Sequence, residues 1–155
     1  MRKQRIGIVS LVLAVCLLSS ALAVIMYQKS ITNNMTLNAD YTINVFEHST
    51  TTQCLSIAWG GFNESETKTY LIDLVYLGNV QGRIYWDGAV PSGWTLTLQE
   101  KNHDGTGYNA WLSGENNQIT GLEYGHLKNV MLTLGETTAI TGQQYAFTVT
   151  FYSLG

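Results

Sequence analysis

The chain has 155 residues, enough for one domain and a targeting segment. Charged residues make up only 12% of the sequence and hydrophobic residues 45%, with a single proline, so the composition excludes a disordered chain and favours a folded core. The formal net charge is −3, which argues against a nucleic-acid partner because proteins that bind nucleic acids present a basic face.

The first thirty residues have the composition of an export signal. Three basic residues come first: Arg2, Lys3 and Arg5. An uninterrupted apolar or small stretch follows over residues 6–27. Ala21 and Ala23 stand at the A-x-A positions that signal peptidase recognises, so we expect residues 1–23 to be a signal peptide that is cleaved after Ala23.

A retained membrane anchor is the alternative for this stretch, since residues 6–27 exceed the roughly 20 apolar residues that a membrane-spanning helix needs. In both cases the basic flank stays cytoplasmic, and the rest of the chain is expected outside the cell or on its surface. Removing the three basic residues leaves five basic against eleven acidic residues, a net charge of −6.

Beyond Asn34, apolar and polar residues alternate with a period of two, the pattern of half-buried β-strands. We predict strands over residues 41–47, 69–77, 82–86, 95–99, 130–134 and 145–152. Residues that favour turns separate these runs, and no amphipathic stretch of helix length occurs. The sequence therefore predicts an all-β fold: a single antiparallel β-sandwich, jelly-roll or Ig-like, over residues 41–155, preceded by an N-terminal hydrophobic helix.

The predicted strand 69–77 is apolar on both faces, which favours a central position in its sheet. Its one charged residue, Asp73, is expected near an edge or an end of the strand. Cys54 is the lone cysteine beyond the apolar stretch and cannot form a disulfide within its own chain, so we interpret it as a small buried hydrophobe.

No motif in the sequence indicates catalysis, a cofactor or a metal. His48, His103 and His126 lie far apart, without the spacing of metal ligands, and are predicted to be exposed turn residues. Residues 102–109, NHDGTGYN, lack the ligand pattern of a calcium loop and predict a hairpin turn. We therefore expect a protein that is not an enzyme.

The four tryptophans divide into two pairs. Trp59 and Trp86 follow the inward register of their strands and are expected in the core, whereas Trp94 and Trp111 sit beside turns. Trp94 and Trp111 are therefore the candidates for a surface platform that stacks on sugar rings of a polysaccharide. Two triplets have the form of N-glycosylation sites, at Asn34 and Asn63, and both are expected in surface turns.

Four passages follow one another along the chain in a characteristic order. Residues 58–61, AWGG, lead into the polar turn NESE, and residues 77–80, LGNV, end a long strand. The passages PSGWTLTLQ and YAFTVTFYSLG come later. This order resembles that of the exported β-sandwiches of the TasA/camelysin type, which include archaeal bundling-pilus subunits, and the last two passages are similar to the later strands of that family. The likeness extends over most of residues 23–155.

The resemblance implies a structural subunit of an extracellular filament, a pilus or a biofilm fibre, which self-associates by strand donation. Residues 24–40 would then be an N-terminal extension, and its donor strand would hold four apolar residues: Val24, Ile25, Met26 and Tyr27. A mature chain that begins at Val24 exposes these side chains at a cost of ~25 cal/mol per Å² of apolar surface, and adding them to a neighbour's sheet would remove that cost.

Two other functions stay open at this stage. One is a membrane-anchored or secreted monomeric recognition domain, with carbohydrate bound through Trp94 and Trp111. The other is a type IV pilin-like subunit that is processed near Gly7 and keeps its apolar helix for a filament core.

Overall fold

A computed structural model describes residues 32–40, 42–63, 65–138 and 144–154. The predicted signal or anchor and the segment Val24–Tyr27 lie outside the described residues. The described part of the chain is all-β and contains the strands β1 Thr32–Ala39, β2 Ile43–Glu47, β3 Ser56–Gly60, β4 Thr67–Tyr76, β5 Gly82–Gly88, β6 Trp94–Lys101, β7 Tyr108–Trp111, β8 Ile119–Leu122, β9 Leu127–Glu136 and β10 Gln144–Leu154. It includes no helix with the length and hydropathy that crossing a membrane requires.

The strands form two five-stranded sheets. Sheet A has the order β3-β1-β10-β5-β8, and sheet B has the order β2-β4-β9-β6-β7. Every described pair is antiparallel except β1 with β10, which is parallel, so the prediction of a wholly antiparallel sandwich needs correction at this pair. The reason is that β1 is not joined to its neighbour by a hairpin: residues 40–42 carry the chain from β1 directly to β2 in the other sheet.

The two sheets share one apolar core because their strands alternate between inward and outward residues. In β10, Phe147, Val149 and Phe151 are buried, while Thr148 and Tyr152 face outward. Aromatic side chains join the sheets, since the ring of Phe151 in sheet A stacks on that of Trp111 in sheet B at 6.0 Å. Burial of such side chains stabilises a fold by about 1.5–3 kcal/mol each.

Strand β1 is an integral part of this core. Met35 is fully buried and Leu37 is 3% exposed, while Asn34, Thr36 and Asn38 alternate with them on the outer face. The sandwich therefore begins no later than Thr32, and the predicted boundary at residue 41 is too late. The period of two is present in β1, but Asn and Thr occupy every outward position, so the strand has low average hydrophobicity.

Strand β4 lies inside sheet B, between β2 and β9, in agreement with its two apolar faces. Asp73 stands in the middle of β4, paired with Phe46 and Asn129, and not at an edge or end as predicted. The carboxylate is tolerated there because neighbouring strands and a turn supply it with hydrogen-bond donors, which are described below.

The sandwich has two distinct ends. β1 and β10 begin at one end, which we name the Asn33 end after the residue that pairs there with Tyr145 and Gly60. β1, β4 and β10 finish at the opposite end, which we name the Tyr76 end; it includes Asp40, Thr42 and residues 77–81 and 123–126.

Candidate functional site

The structure places neither of the tryptophans predicted for a sugar platform on the surface. Trp94 and Trp111 are each 5% exposed, as deeply buried as the predicted core residues Trp59 and Trp86. Trp111 donates its indole N–H to the carbonyl of Asn117 at 2.8 Å, and its ring stacks on Phe151. A ring whose faces are covered cannot stack on a sugar, so the carbohydrate platform on these two residues is not supported.

Proximity to a turn did not expose these residues because further aromatic rings cover both of them. Trp94 is the first residue of β6, yet Phe62 packs edge-on against it at 5.0 Å and Tyr145 at 5.5 Å. Trp59 likewise contacts Tyr70 at 6.2 Å. These side chains form an aromatic cluster at the Asn33 end.

The aromatic cluster contains polar atoms without hydrogen-bond partners. The side-chain amide of Asn33, which is fully buried, makes no hydrogen bond, and the indole N–H groups of Trp59 and Trp94 are also unpaired. Each buried unpaired group costs about 1–3 kcal/mol. These unpaired groups all lie at the Asn33 end, which is where the N-terminal segment joins β1 in the sequence.

A second polar group lies on the outer face of sheet B, around Asp73. This carboxylate is 4% exposed and accepts three hydrogen bonds: from His48 Nδ1 at 2.8 Å, from the backbone N–H of Ser49 at 2.9 Å and from Asn129 Nδ2 at 2.5 Å. Ser49 adopts a left-handed backbone with φ of 60°. The cluster thus binds the turn after β2 to the middle strands β4 and β9.

These hydrogen bonds determine the protonation of Asp73. Burial by itself raises the pKa of this carboxyl, but the donors from His48, Ser49 and Asn129, together with the charge of His48, outweigh burial and hold the pKa below its ordinary value of 3.8. Among the described residues, His48 hydrogen-bonds only to Asp73; Asn129 Nδ2 lies 3.4 Å from the same Nδ1, which cannot accept from it while donating to Asp73. The pair therefore has the geometry of a histidine oriented by a carboxylate but no hydroxyl or thiol to activate, and we assign it a structural role.

We expect Asp73→Asn to lower the free energy of unfolding by about 1–3 kcal/mol at pH 7, because an amide group would face donors that now meet a carboxylate. The folded-state pKa lies below the unfolded value, so the network stabilises the fold above a pH of about 4, and that stability is lost as the pH falls through the folded-state pKa. Urea unfolding should therefore show that the free energies of unfolding of parent and variant differ less at pH 3 than at pH 7. Glu115→Gln, at an exposed carboxylate, is the control; an equal loss at both pH values would contradict the assignment.

The remaining candidate residues are distributed over turns. His103 and His126 are exposed, and residues 102–107 form the hairpin turn between β6 and β7. In that turn the Asp104 carboxylate accepts hydrogen bonds from the backbone and side chain of Thr106, which lower its pKa. No group of three metal-binding side chains occurs in the part of the chain that the structure describes.

The two glycosylation triplets differ in their surroundings. Asn63 is exposed in the turn between β3 and β4, as predicted from its Gly-flanked sequence, and its backbone N–H donates to Glu66. Asn34 is also exposed but lies within β1, an inner strand of sheet A, and not in a turn. Cys54 is 2% exposed, and burial raises the pKa of its thiol.

The Asp73 cluster was not predicted, although the sequence contains one signal for it. An isolated carboxylate in the run LIDLV must acquire donors if that strand is central, since an unpaired buried charge is too costly. The donors themselves come from positions 25 and 56 residues away, which no local pattern indicates.

Comparisons with known proteins give no further indication of function. No protein-family model matches the chain, and a search of curated proteins found no significant match.

Proposed function

We propose that this chain is a structural subunit of an extracellular filament, a pilus or a biofilm matrix fibre, in which the N-terminal segment of one copy adds to the next copy as a donor strand. The observation that carries the proposal is the position of β1. Both of its edges are occupied, by β3 on one side and β10 on the other. The segment Val24–Ser30 directly precedes β1 in the sequence, and β1 has no free edge to receive it.

The composition of this segment favours a partner once the signal peptide is removed. It starts with four consecutive apolar residues, VIMY, followed by QKS. Each such side chain gains about 1.5–3 kcal/mol on full burial. An acceptor surface on a second copy would bury these side chains and would also pair their backbone groups.

The edges of the two sheets argue for a specific contact and against general edge-to-edge pairing. The edge strands are short: β2 and β3 have five residues each, and β7 and β8 have four each. Short edges resist uncontrolled pairing between copies. Residues 24–155 also carry five basic against eleven acidic residues, so copies of like charge need a defined apolar contact to stay together.

The competing function is a monomeric recognition domain held by an uncleaved anchor at residues 6–27, whose length supports it. Carbohydrate binding through Trp94 and Trp111 is not supported as its activity, since both side chains are buried. The N-terminal residue of the native protein separates these functions: Val24 agrees with the filament, an intact Met1–Ala23 with the anchor, and a cut near Gly7 with a type IV pilin-like subunit.

Deleting Val24–Ser30 from the mature chain should abolish polymerisation and leave the sandwich folded, because β1 and the core residues remain. Electron microscopy and sedimentation measure the polymer, and circular dichroism measures the fold. The control keeps the length of the parent chain: Gln28→Ser combined with Ser30→Ala changes two polar residues of the segment, keeps its apolar residues and should polymerise normally. Filaments formed by the deletion variant as well as by the parent would refute the proposed function.

A further inference from the structure

A surface cavity of 430 Å³ opens at the Tyr76 end, between the end of β1, the loop after β4 and the end of β10. Its volume is in the range of about 300–1,000 Å³ that ligand pockets occupy. Leu77 and Val80 contribute apolar lining, and Asp40 and Ser153 contribute polar lining. The proposed function does not yet assign this cavity a role.

The Tyr76 end also exposes an unusual amount of apolar surface. Val80 is 64% exposed, Tyr124 is 70% exposed and Leu127 is 53% exposed, which makes three of the six large hydrophobic side chains most exposed in the described part of the chain. Tyr124 and Leu127 flank the turn whose backbone is hydrogen-bonded to that of Tyr76. Apolar residues gathered at one end of a domain indicate an interaction surface.

The polar side of the cavity carries a negative charge. Asp40 Oδ2 accepts a hydrogen bond from the hydroxyl of Ser153 at 3.1 Å, and that hydroxyl in turn lies 2.5 Å from Thr42 Oγ1. None of the ion pairs in the described residues involves Asp40. Among the described residues, the carboxylate thus accepts from the Ser153 hydroxyl and has no basic partner.

Resting on the proposed function, we propose that this cavity is the acceptor site for the side chains of the segment Val24–Ser30 of a second copy of the chain. The chemistry of the two parts is complementary. The segment offers apolar side chains to Leu77 and Val80, and its Lys29 offers a positive charge to Asp40. Lys29 is the only Lys or Arg between positions 6 and 67, so it is the one permanent positive charge in the N-terminal part of the mature chain.

The geometry favours a second copy over the chain's own segment. The segment joins β1 at the Asn33 end, and the eight residues of β1 separate that end from the cavity by roughly 23 Å. Seven residues of segment, fully extended, also span about 23 Å. Folded back, the segment would bring only Val24 to its own cavity and would leave Lys29 at the wrong end.

Stacking a second copy with its Asn33 end against the Tyr76 end brings the whole segment within reach of the cavity. Such a contact joins two different surfaces, so it leaves one free donor and one free acceptor after every addition. A head-to-tail contact of this kind generates an open filament.

The test introduces a charge at the acceptor in the full mature chain. We expect Val80→Glu to raise the critical concentration for polymerisation about tenfold or more. The new carboxylate would face the apolar side chains of the segment and would add a second negative charge to the cavity beside Asp40. Leu112→Glu is the matched control, since Leu112 is also 64% exposed but lies after β7, outside the cavity lining. It should leave the critical concentration unchanged.

A charge exchange tests the pairing of Lys29 with Asp40. Asp40→Lys and Lys29→Asp should each weaken polymerisation, and the double variant should restore it. Normal polymerisation of Val80→Glu, or a double variant no better than the single ones, would overturn the acceptor site. The proposed function would survive that result if deletion of Val24–Ser30 still abolished filaments, whereas filaments without the segment would refute both.

Discussion

Phe151→Ala is expected to lower the free energy of unfolding by about 3–5 kcal/mol, the range for removing a buried Phe side chain. Phe151 is fully buried in β10, between Ala39 of β1 and Trp86 of β5. Its ring stacks on Trp111 of the opposite sheet with an interplanar angle of 24°. Alanine at this position would leave a cavity between the sheets that the surrounding strands cannot close without losing their register.

Tyr152→Ala is the matched control, since it removes an aromatic ring at the next position of the same strand. Tyr152 faces outward, is 38% exposed and stacks on Tyr85 at 4.9 Å. Its loss should cost about 0.5–1.5 kcal/mol, the value of an aromatic pair. Urea unfolding of both variants measures the difference, and equal losses would show that the sheets do not share the core through Phe151.

The alternation of residues was sufficient to predict the long strands. The prediction of 145–152 corresponds to β10, that of 130–134 to the centre of β9, and that of 69–77 to β4 within two residues at each end. Each of these strands buries large apolar side chains at every second position. Their side chains alone therefore determine which face turns inward.

Four strands were not predicted from the sequence, β1, β3, β7 and β8, and three of them have a physical reason for being missed. β7 and β8 have four residues each, too few for a period of two to stand out. β1 places polar Asn33 inward beside Met35 and Leu37, so its pattern is weak, and its position depends on pairing with β10, more than 100 residues later. Pairing at that distance is a property of the whole fold.

The candidate sites were predicted less well than the strands because they depend on contacts between distant residues. Trp94 and Trp111 were predicted on the surface from their neighbouring turns, but the rings that cover them come from other strands. The acceptor cavity similarly joins Asp40 to Ser153, which are 113 residues apart. The donor segment, by contrast, is proposed from the sequence alone, since it is defined by consecutive apolar residues, and it stays a prediction.

Gly82→Ala is expected to lower the free energy of unfolding substantially. The loss should approach the ~3–5 kcal/mol that deletion of a buried aromatic side chain costs. A Cβ atom at Gly82 would lie 2.0 Å from the hydroxyl oxygen of Tyr76, and one at Gly78 would lie equally close. Neither glycine has a positive φ, so the requirement is for space and not for backbone freedom. The two glycines enclose the ring of Tyr76, which is 2% exposed.

The ring cannot move aside cheaply because its hydroxyl donates a hydrogen bond to the carbonyl of Val80 at 3.0 Å, and its backbone bonds to Gly125 and His126. Gly107→Ala is the control, since a Cβ atom there meets only the side chain of Asn102, at 3.3 Å. Urea unfolding should show a loss near zero for the control and a large loss for Gly82→Ala.

A double-mutant cycle attributes the loss to the Tyr76 ring. If the new methyl group acts by displacing the ring, then Gly82→Ala should cost almost nothing further in a chain that already carries Tyr76→Ala. Equal costs in the two backgrounds would place the strain in the β5–β8 pairing, where Gly82 faces Leu122. The hydroxyl of the same ring also holds Val80 at the rim of the proposed acceptor cavity. If the losses in free energy of unfolding are non-additive, we therefore expect Gly82→Ala, Tyr76→Ala and the double variant all to polymerise less well than the parent.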